Sequence, residues 1–236
     1  MISTRFCVLM LLFCLTSNCN FSIINANDWP QFRGPSGNAT APDSSPPVTW
    51  SDSENIVWKT ELPGRGASSP IVFGNRIFLT AYTGFGVDAE DPGDKANLKL
   101  HVLCFERDSG KLLWDQFIKA SPATQSFGQR VADHGYATAT PATDGEAVYA
   151  SFGVSGVVAC DMDGNLMWQA PIGDETAGFG SAASPVVFGE MVYVNASIES
   201  STLFAFDKRT GKEVWKAESI TKSWTTPCIA DVPGGS

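Results

Sequence analysis

Ala205-Phe206-Asp207-Lys208-Arg209-Thr210-Gly211-Lys212-Glu213-Val214-Trp215 decides the fold. A short apolar run ends in an acid, a Gly-bearing turn reverses the chain, and a second run carries a tryptophan. That is the chemistry of a β-hairpin. The same order recurs from Cys104-Phe105-Glu106 through Gly110 to Trp114, and one residue shorter from Ala159-Cys160-Asp161 through Gly164 to Trp168. Gly110, Gly164 and Gly211 hold equivalent turn positions, and Trp114, Trp168 and Trp215 equivalent strand positions. One hairpin written three times points to a repeat architecture.

The unit is larger than the hairpin. Upstream of each copy stand a hydroxyl residue, a proline and a short apolar strand: Ser69-Pro70-Ile71-Val72-Phe73, Thr140-Pro141-Ala142-Thr143 and Ser184-Pro185-Val186-Val187-Phe188. A further copy, Thr226-Pro227-Cys228-Ile229, lies near the end. A Gly turn then leads into Arg76-Ile77-Phe78-Leu79, Ala147-Val148-Tyr149-Ala150 or Met191-Val192-Tyr193-Val194. Each unit therefore offers four strands, and its prolines stand 71, 44 and 42 residues apart. Units of roughly 40–45 residues with four strands are β-propeller blades.

The pattern resembles the tryptophan-docking motif of the pyrroloquinoline quinone (PQQ) or quinoprotein type of β-propeller repeat. The copy at 205–215 matches throughout, and the other two depart by conservative changes or one missing turn residue. Asp28-Trp29-Pro30-Gln31-Phe32-Arg33-Gly34-Pro35 also resembles the opening of exported bacterial proteins with such repeats. The expected fold is all-β: PQQ-like blades over about 61–118, 119–171 and 172–219, and a partial one over 220–236. Closed propellers use four to eight blades, so the propeller is expected to be incomplete in this chain.

The segment 27–60 reads as an N-terminal arm. Its Trp58 resembles an outer-strand tryptophan without a hairpin before it, and is expected to lack a blade to dock on. Trp114, Trp168 and Trp215 are expected to wedge between neighbouring sheets, each burying roughly 150–250 Å².

Residues 1–26 carry a single charge, Arg5, and an apolar run from Phe6 to Leu15 that is short for a bilayer. This reads as a signal peptide, giving a periplasmic or secreted chain with no transmembrane segment after its removal. Formal net charge is −9 and becomes one unit more negative without Arg5, which argues against nucleic acid as a partner. Cys104 and Cys160 stand one register apart in their hairpins, so the expectation is opposite sheet faces and no disulfide between them.

Two connections exceed what a blade needs. One runs from Thr83 to Leu98 with Asp88, Glu90, Asp91 and Asp94. The other, between the first two blades, carries Gln125, Gln129, Arg130, Asp133, His134 and Tyr136. Long loops on a rigid frame are where binding groups lie, and these residues form the candidate binding face. The acids lack the spacing of a calcium loop, and His134 has no neighbouring His or Cys to share a metal with.

The resemblance implies, for an enzyme of the family, PQQ with Ca²⁺ and in many members a vicinal Cys–Cys pair. No adjacent cysteines occur, and no local motif supplies the calcium ligands or a catalytic Asp. Fold alone is a weak warrant for activity. The sequence therefore reads as a non-catalytic exported scaffold that binds another envelope protein without a cofactor. A PQQ-dependent oxidoreductase and a fragment without an independent role are the alternatives.

Overall fold

The computed structural model describes residues 28–41, 44–128 and 130–230. Three four-stranded antiparallel sheets follow one another along the chain. Blade 1 holds β1 (Ile71–Phe73), β2 (Arg76–Thr83), β3 (Lys99–Glu106) and β4 (Leu112–Lys119). Blade 2 holds β5 (Ala142–Thr143), β6 (Ala147–Ser151), β7 (Val157–Asp161) and β8 (Leu166–Ala170). Blade 3 holds β9 (Val186–Phe188), β10 (Met191–Ala196), β11 (Thr202–Asp207) and β12 (Glu213–Ala217). Strand order in each sheet is sequence order, which makes every blade a meander. The only α-helix among the described residues is the single turn Val131–His134. The segment called a signal peptide lies outside the described residues, as does Gln129.

Alternation along the strands divides each sheet between two cores. From β3, Leu100, Val102 and Cys104 join Val148, Ala150, Val158 and Cys160 in a core shared by blades 1 and 2. From the other face of blade 2, Ala147, Tyr149, Val157 and Ala159 meet Val192, Val194, Phe204 and Phe206 of blade 3. A sheet apolar on both faces can be buried only by stacking, which is why these middle strands read as near-continuous apolar runs. Stacking also corrects the argument about the cysteines. Opposite faces of successive blades look at one another, so Cys104 and Cys160 share one core, where both are free thiols.

The tryptophans dock forward along the chain. The Trp114 indole N–H donates to the Met162 carbonyl of the next blade's hairpin (2.9 Å), and Trp168 donates to Lys208 (2.9 Å). Each ring lies over the turn glycine. A Cβ added to Gly164 would fall 2.7 Å from Trp114, and one on Gly211 2.6 Å from Trp168. Both glycines also sit at positive φ, 90° and 67°, so two independent requirements select glycine. Lys208, the turn residue beneath Trp168, ties the seam further through Asp144 at 3.0 Å.

Two expectations are corrected here. Trp58 does have a blade: its N–H donates to Arg107 of blade 1 (2.8 Å), its ring covers Gly110, and the Thr60 hydroxyl donates to the Gly110 carbonyl (2.7 Å). Trp215 is the ring without a hairpin turn above it among the described residues. It is 40% exposed and tilts against Tyr193 of its own blade. The reason is direction, since each ring needs the blade that follows.

The hydroxyl residues before the prolines form a second seam. Ser69 N–H donates to Thr140 Oγ1 (3.0 Å), Thr140 N–H to Ser184 Oγ (3.0 Å) and Ser184 N–H to Thr226 Oγ1 (3.1 Å). Each blade thus satisfies a backbone donor of the one before it. The arm locks onto the same strands: Trp29 exchanges backbone bonds with Val72 at 2.8 and 2.9 Å, and Pro30 accepts from Thr143 (2.8 Å).

Candidate functional site

The two long connections pack together. Phe85 stacks on Tyr136 with centroids 5.8 Å apart and meets Phe127 edge-on at 6.2 Å. Lys95 Nζ reaches across to the carbonyls of Pro122 (3.3 Å) and Thr124 (2.8 Å). The acids of the first loop are exposed, and three of them shape their own backbone. Asp88 accepts from Glu90 N–H (2.9 Å), Asp91 from Gly93 (3.3 Å) and Asp94 from Ala96 (2.9 Å). Such Asx turns explain acids in a tight loop without a metal. Among the described residues no group of three or more His, Cys, Asp and Glu side chains gathers as a metal site.

Beyond this pair of loops, a cleft opens along the seam of blades 2 and 3. Its walls come from Gln125, Tyr136 and Thr138 of the second long connection, Ser151 at the end of β6 and Gly153 after it, and Thr176, Gly180 and Ser181 after β8. Its volume is about 40 Å³, room for a few water-sized groups. Tyr136 donates to the Gln125 carbonyl (3.1 Å), and burial, followed by the nearby Tyr82, pushes its phenol up to about 12. His134 Nδ1 bonds Thr138 Oγ1 at 2.8 Å. Its Nε2 is buried without a hydrogen-bond partner among the described residues, 3.5 Å from where a Cβ on Gly180 would stand. Asp133 is exposed on the helical turn.

Three side chains that the sequence did not single out complete the face. Arg130 lies 4.8 Å over the Phe179 ring, and Trp224 meets that ring edge-on at 5.3 Å. The Trp224 N–H donates to the Gly180 carbonyl (2.8 Å), so the aromatic pair stands beside the cleft. Phe179 and Trp224 keep 48% and 39% of their surface exposed, large values for paired aromatics. Glu199, in the turn after β10, is 3% exposed. Ser181 Oγ donates to its carboxylate, and burial raises its pKa above the ordinary value of 4.5. No periodicity marks these positions, because irregular connections have none. A tryptophan outside the hairpin register was the one signal available.

A second polar set lies within blade 1. Thr83 Oγ1 is 2.9 Å from His101 Nε2, and His101 Nδ1 is 2.8 Å from Asp115 Oδ1. The connectivity is that of a hydroxyl–imidazole–carboxylate set, assembled from three strands and invisible as a linear motif. His101 is 7% exposed with both ring nitrogens engaged, and the set satisfies polar groups that the sheet buries.

The cleft is small beside the quinone after which this repeat type is named. A tricyclic cofactor needs a site of roughly 300 Å³ or more, against about 40 Å³ in the cleft. Glu199, the acid beside the cleft wall, is buried singly. This cleft does not fit PQQ with Ca²⁺.

Comparison with known proteins agrees with the fold. A family model described as outer membrane protein assembly factor BamB matches residues 93–217. That is more than half of the 236 residues, and the chain belongs to this family of PQQ-like repeat proteins. No curated protein sequence matches. Similar solved structures include BamB from Moraxella catarrhalis, 17% identical over 70% of this chain and 43% of that one, with a TM-score of 0.45. They also include a europium-containing methanol dehydrogenase, 20% identical over 65% of this chain and 25% of that one, TM-score 0.43. The quinohemoprotein alcohol dehydrogenase of Comamonas testosteroni is 16% identical over 65% of this chain and 21% of that one, TM-score 0.44. The chain spans less than half the length of each of these structures.

Proposed function

We propose that this member of the family is a non-catalytic scaffold of the cell envelope, which captures another envelope protein on the loop face across blades 2 and 3. The observation that carries the reading is the exposed Arg130–Phe179–Trp224 group. Aromatic and arginine side chains, held in place by their own frame, are what interface hot spots are made of. The rings lose little conformational freedom on binding, since each is already fixed against a neighbour. Family membership supports an envelope location and a protein partner.

The test uses the intact protein. Phe179→Ala, Trp224→Ala and Arg130→Glu are compared with the parent for capture of partners from envelope extracts, with circular dichroism as the fold control. The reading expects each variant to weaken capture about tenfold or more, the size of a hot-spot loss. Unchanged capture by all three, or substrate-dependent dye reduction by the protein after incubation with PQQ and Ca²⁺, would falsify it and favour an oxidoreductase.

A further inference from the structure

We infer that the cleft beside Phe179 and Trp224 is a socket for the ammonium group of a lysine side chain presented by the partner. The inference rests on the scaffold reading and specifies what that face recognises. Size comes first. About 40 Å³ admits only a few water-sized groups, and an ammonium group is the size of a water molecule. Donor matching comes second. An ammonium brings three donors and no acceptor, and the walls offer the hydroxyls of Thr138, Ser151, Thr176 and Ser181.

Charge comes third. Ser181 is hydrogen-bonded to the buried Glu199 carboxylate. A Cβ on Gly153 would stand 2.2 Å from Ser181 Oγ and 3.2 Å from Glu199 Oε1, so only a glycine in the cleft wall lets the backbone lie directly against the serine and its acid. Within two positions in sequence of the lining residues stand Asp133, Asp174 and Glu175 against Arg130, with His134 beside Gly180 and Glu199 beside Gly153. Lys222 is paired to Glu175 at 3.3 Å, and Arg130 is held over Phe179 at the rim. A cation in a hydroxyl-lined socket backed by an anion is better held than in water, because the carboxylate acts through a low-dielectric wall.

The test titrates the protein with the capped peptide acetyl-Ser-Gly-Lys-Gly-Ser-amide, and with versions carrying norleucine or Nε-acetyl-lysine. Amide shifts of Gly153, Gly180 and Ser181 and the emission of Trp224 give the readout. The lysine peptide is expected to shift these signals saturably, with half a molar of NaCl weakening it severalfold. Glu199→Gln is expected to weaken binding about fivefold or more, with the norleucine and acetyl-lysine peptides inactive. Equal response to norleucine, or no change with Glu199→Gln, overturns the inference and leaves a hydrated cleft. If the lysine peptide fails while Phe179→Ala still weakens partner capture, the socket alone is lost and the scaffold reading stands. If the peptide binds while the rim variants leave capture unchanged, the scaffold reading is lost instead.

Discussion

Truncating Trp168 and Trp215 to alanine separates the two ends of the docking series. Trp168 is 9% exposed, donates its N–H to Lys208 and covers Gly211 between two blades. Its removal leaves a cavity and an orphaned carbonyl in a seam whose strands cannot collapse inward, and large aromatic truncations of this kind cost about 3–5 kcal/mol. Trp215 has the same sequence context but is 40% exposed, and its ring meets Tyr193 of its own blade. It loses part of the transfer term, no cavity forms in an open site, and the expected cost is about 1–2 kcal/mol. Trp58, docked on Gly110, should group with Trp168 rather than with Trp215. Urea unfolding followed by circular dichroism measures all three, with the slope as the check that the transition stays two-state. A Trp215→Ala loss equal to that of Trp168→Ala would refute forward docking as the source of the stability.

The turn glycines give a sharper version of the comparison. Gly211→Ala meets the Trp168 ring at 2.6 Å and should cost several kcal/mol, whereas Gly189→Ala, also at positive φ but facing open space, should cost about 1–2 kcal/mol from backbone strain alone. Ser184→Ala removes the acceptor for the buried Thr140 amide and should destabilise by about 1–3 kcal/mol in the same assay. Burial raises the Glu199 pKa, so the stability contributed by its protonated form is full below pH 4.5 and is lost as pH rises through the raised value. Glu199→Gln should therefore gain stability relative to the parent between pH 4.5 and pH 7.5, and a pH-independent gap counts against a buried carboxylate. Burial pushes the Cys104 and Cys160 thiols up to about 12, so in the native protein a thiol reagent should modify the exposed Cys228 quickly and these two only on unfolding.

The blades were legible because their requirements are local and repeated. A hairpin needs a residue at positive φ, which put glycine at 110, 164 and 211, and the strand after it needs a large ring, which put tryptophan at 114, 168 and 215. Docking direction was not legible. A repeat looks the same from either side, so Trp58 and Trp215 could be told apart only once each ring was seen over the turn that follows it. The cysteines misled for the same reason, since face parity within one blade says nothing about which faces stack. Loop length located Tyr136, His134 and Arg130. Glu199 and Phe179 escaped because the connections that hold them are set by contacts with other blades, and those contacts leave no period to read.

The seam between blades 2 and 3 ties stability to the binding face. The Trp168 indole and the Lys208–Asp144 pair fasten it at the hairpin turns. The bond from Thr140 N–H to Ser184 Oγ fastens it beside the prolines. Tyr149, Val157, Val192 and Phe206 fill the space between. The cleft then opens where Gly153 of one blade faces Ser181 and Glu199 of the connection and turn beyond. A close-packed interior transmits displacement rather than absorbing it. The same contacts that hold the two sheets therefore hold the walls of the cleft at a fixed spacing, and a frame that repeats faithfully lets irregular loops carry a shaped site. The proposed recognition on the seam, rather than on one blade, would make the site's geometry depend on the stacking that the tryptophans maintain.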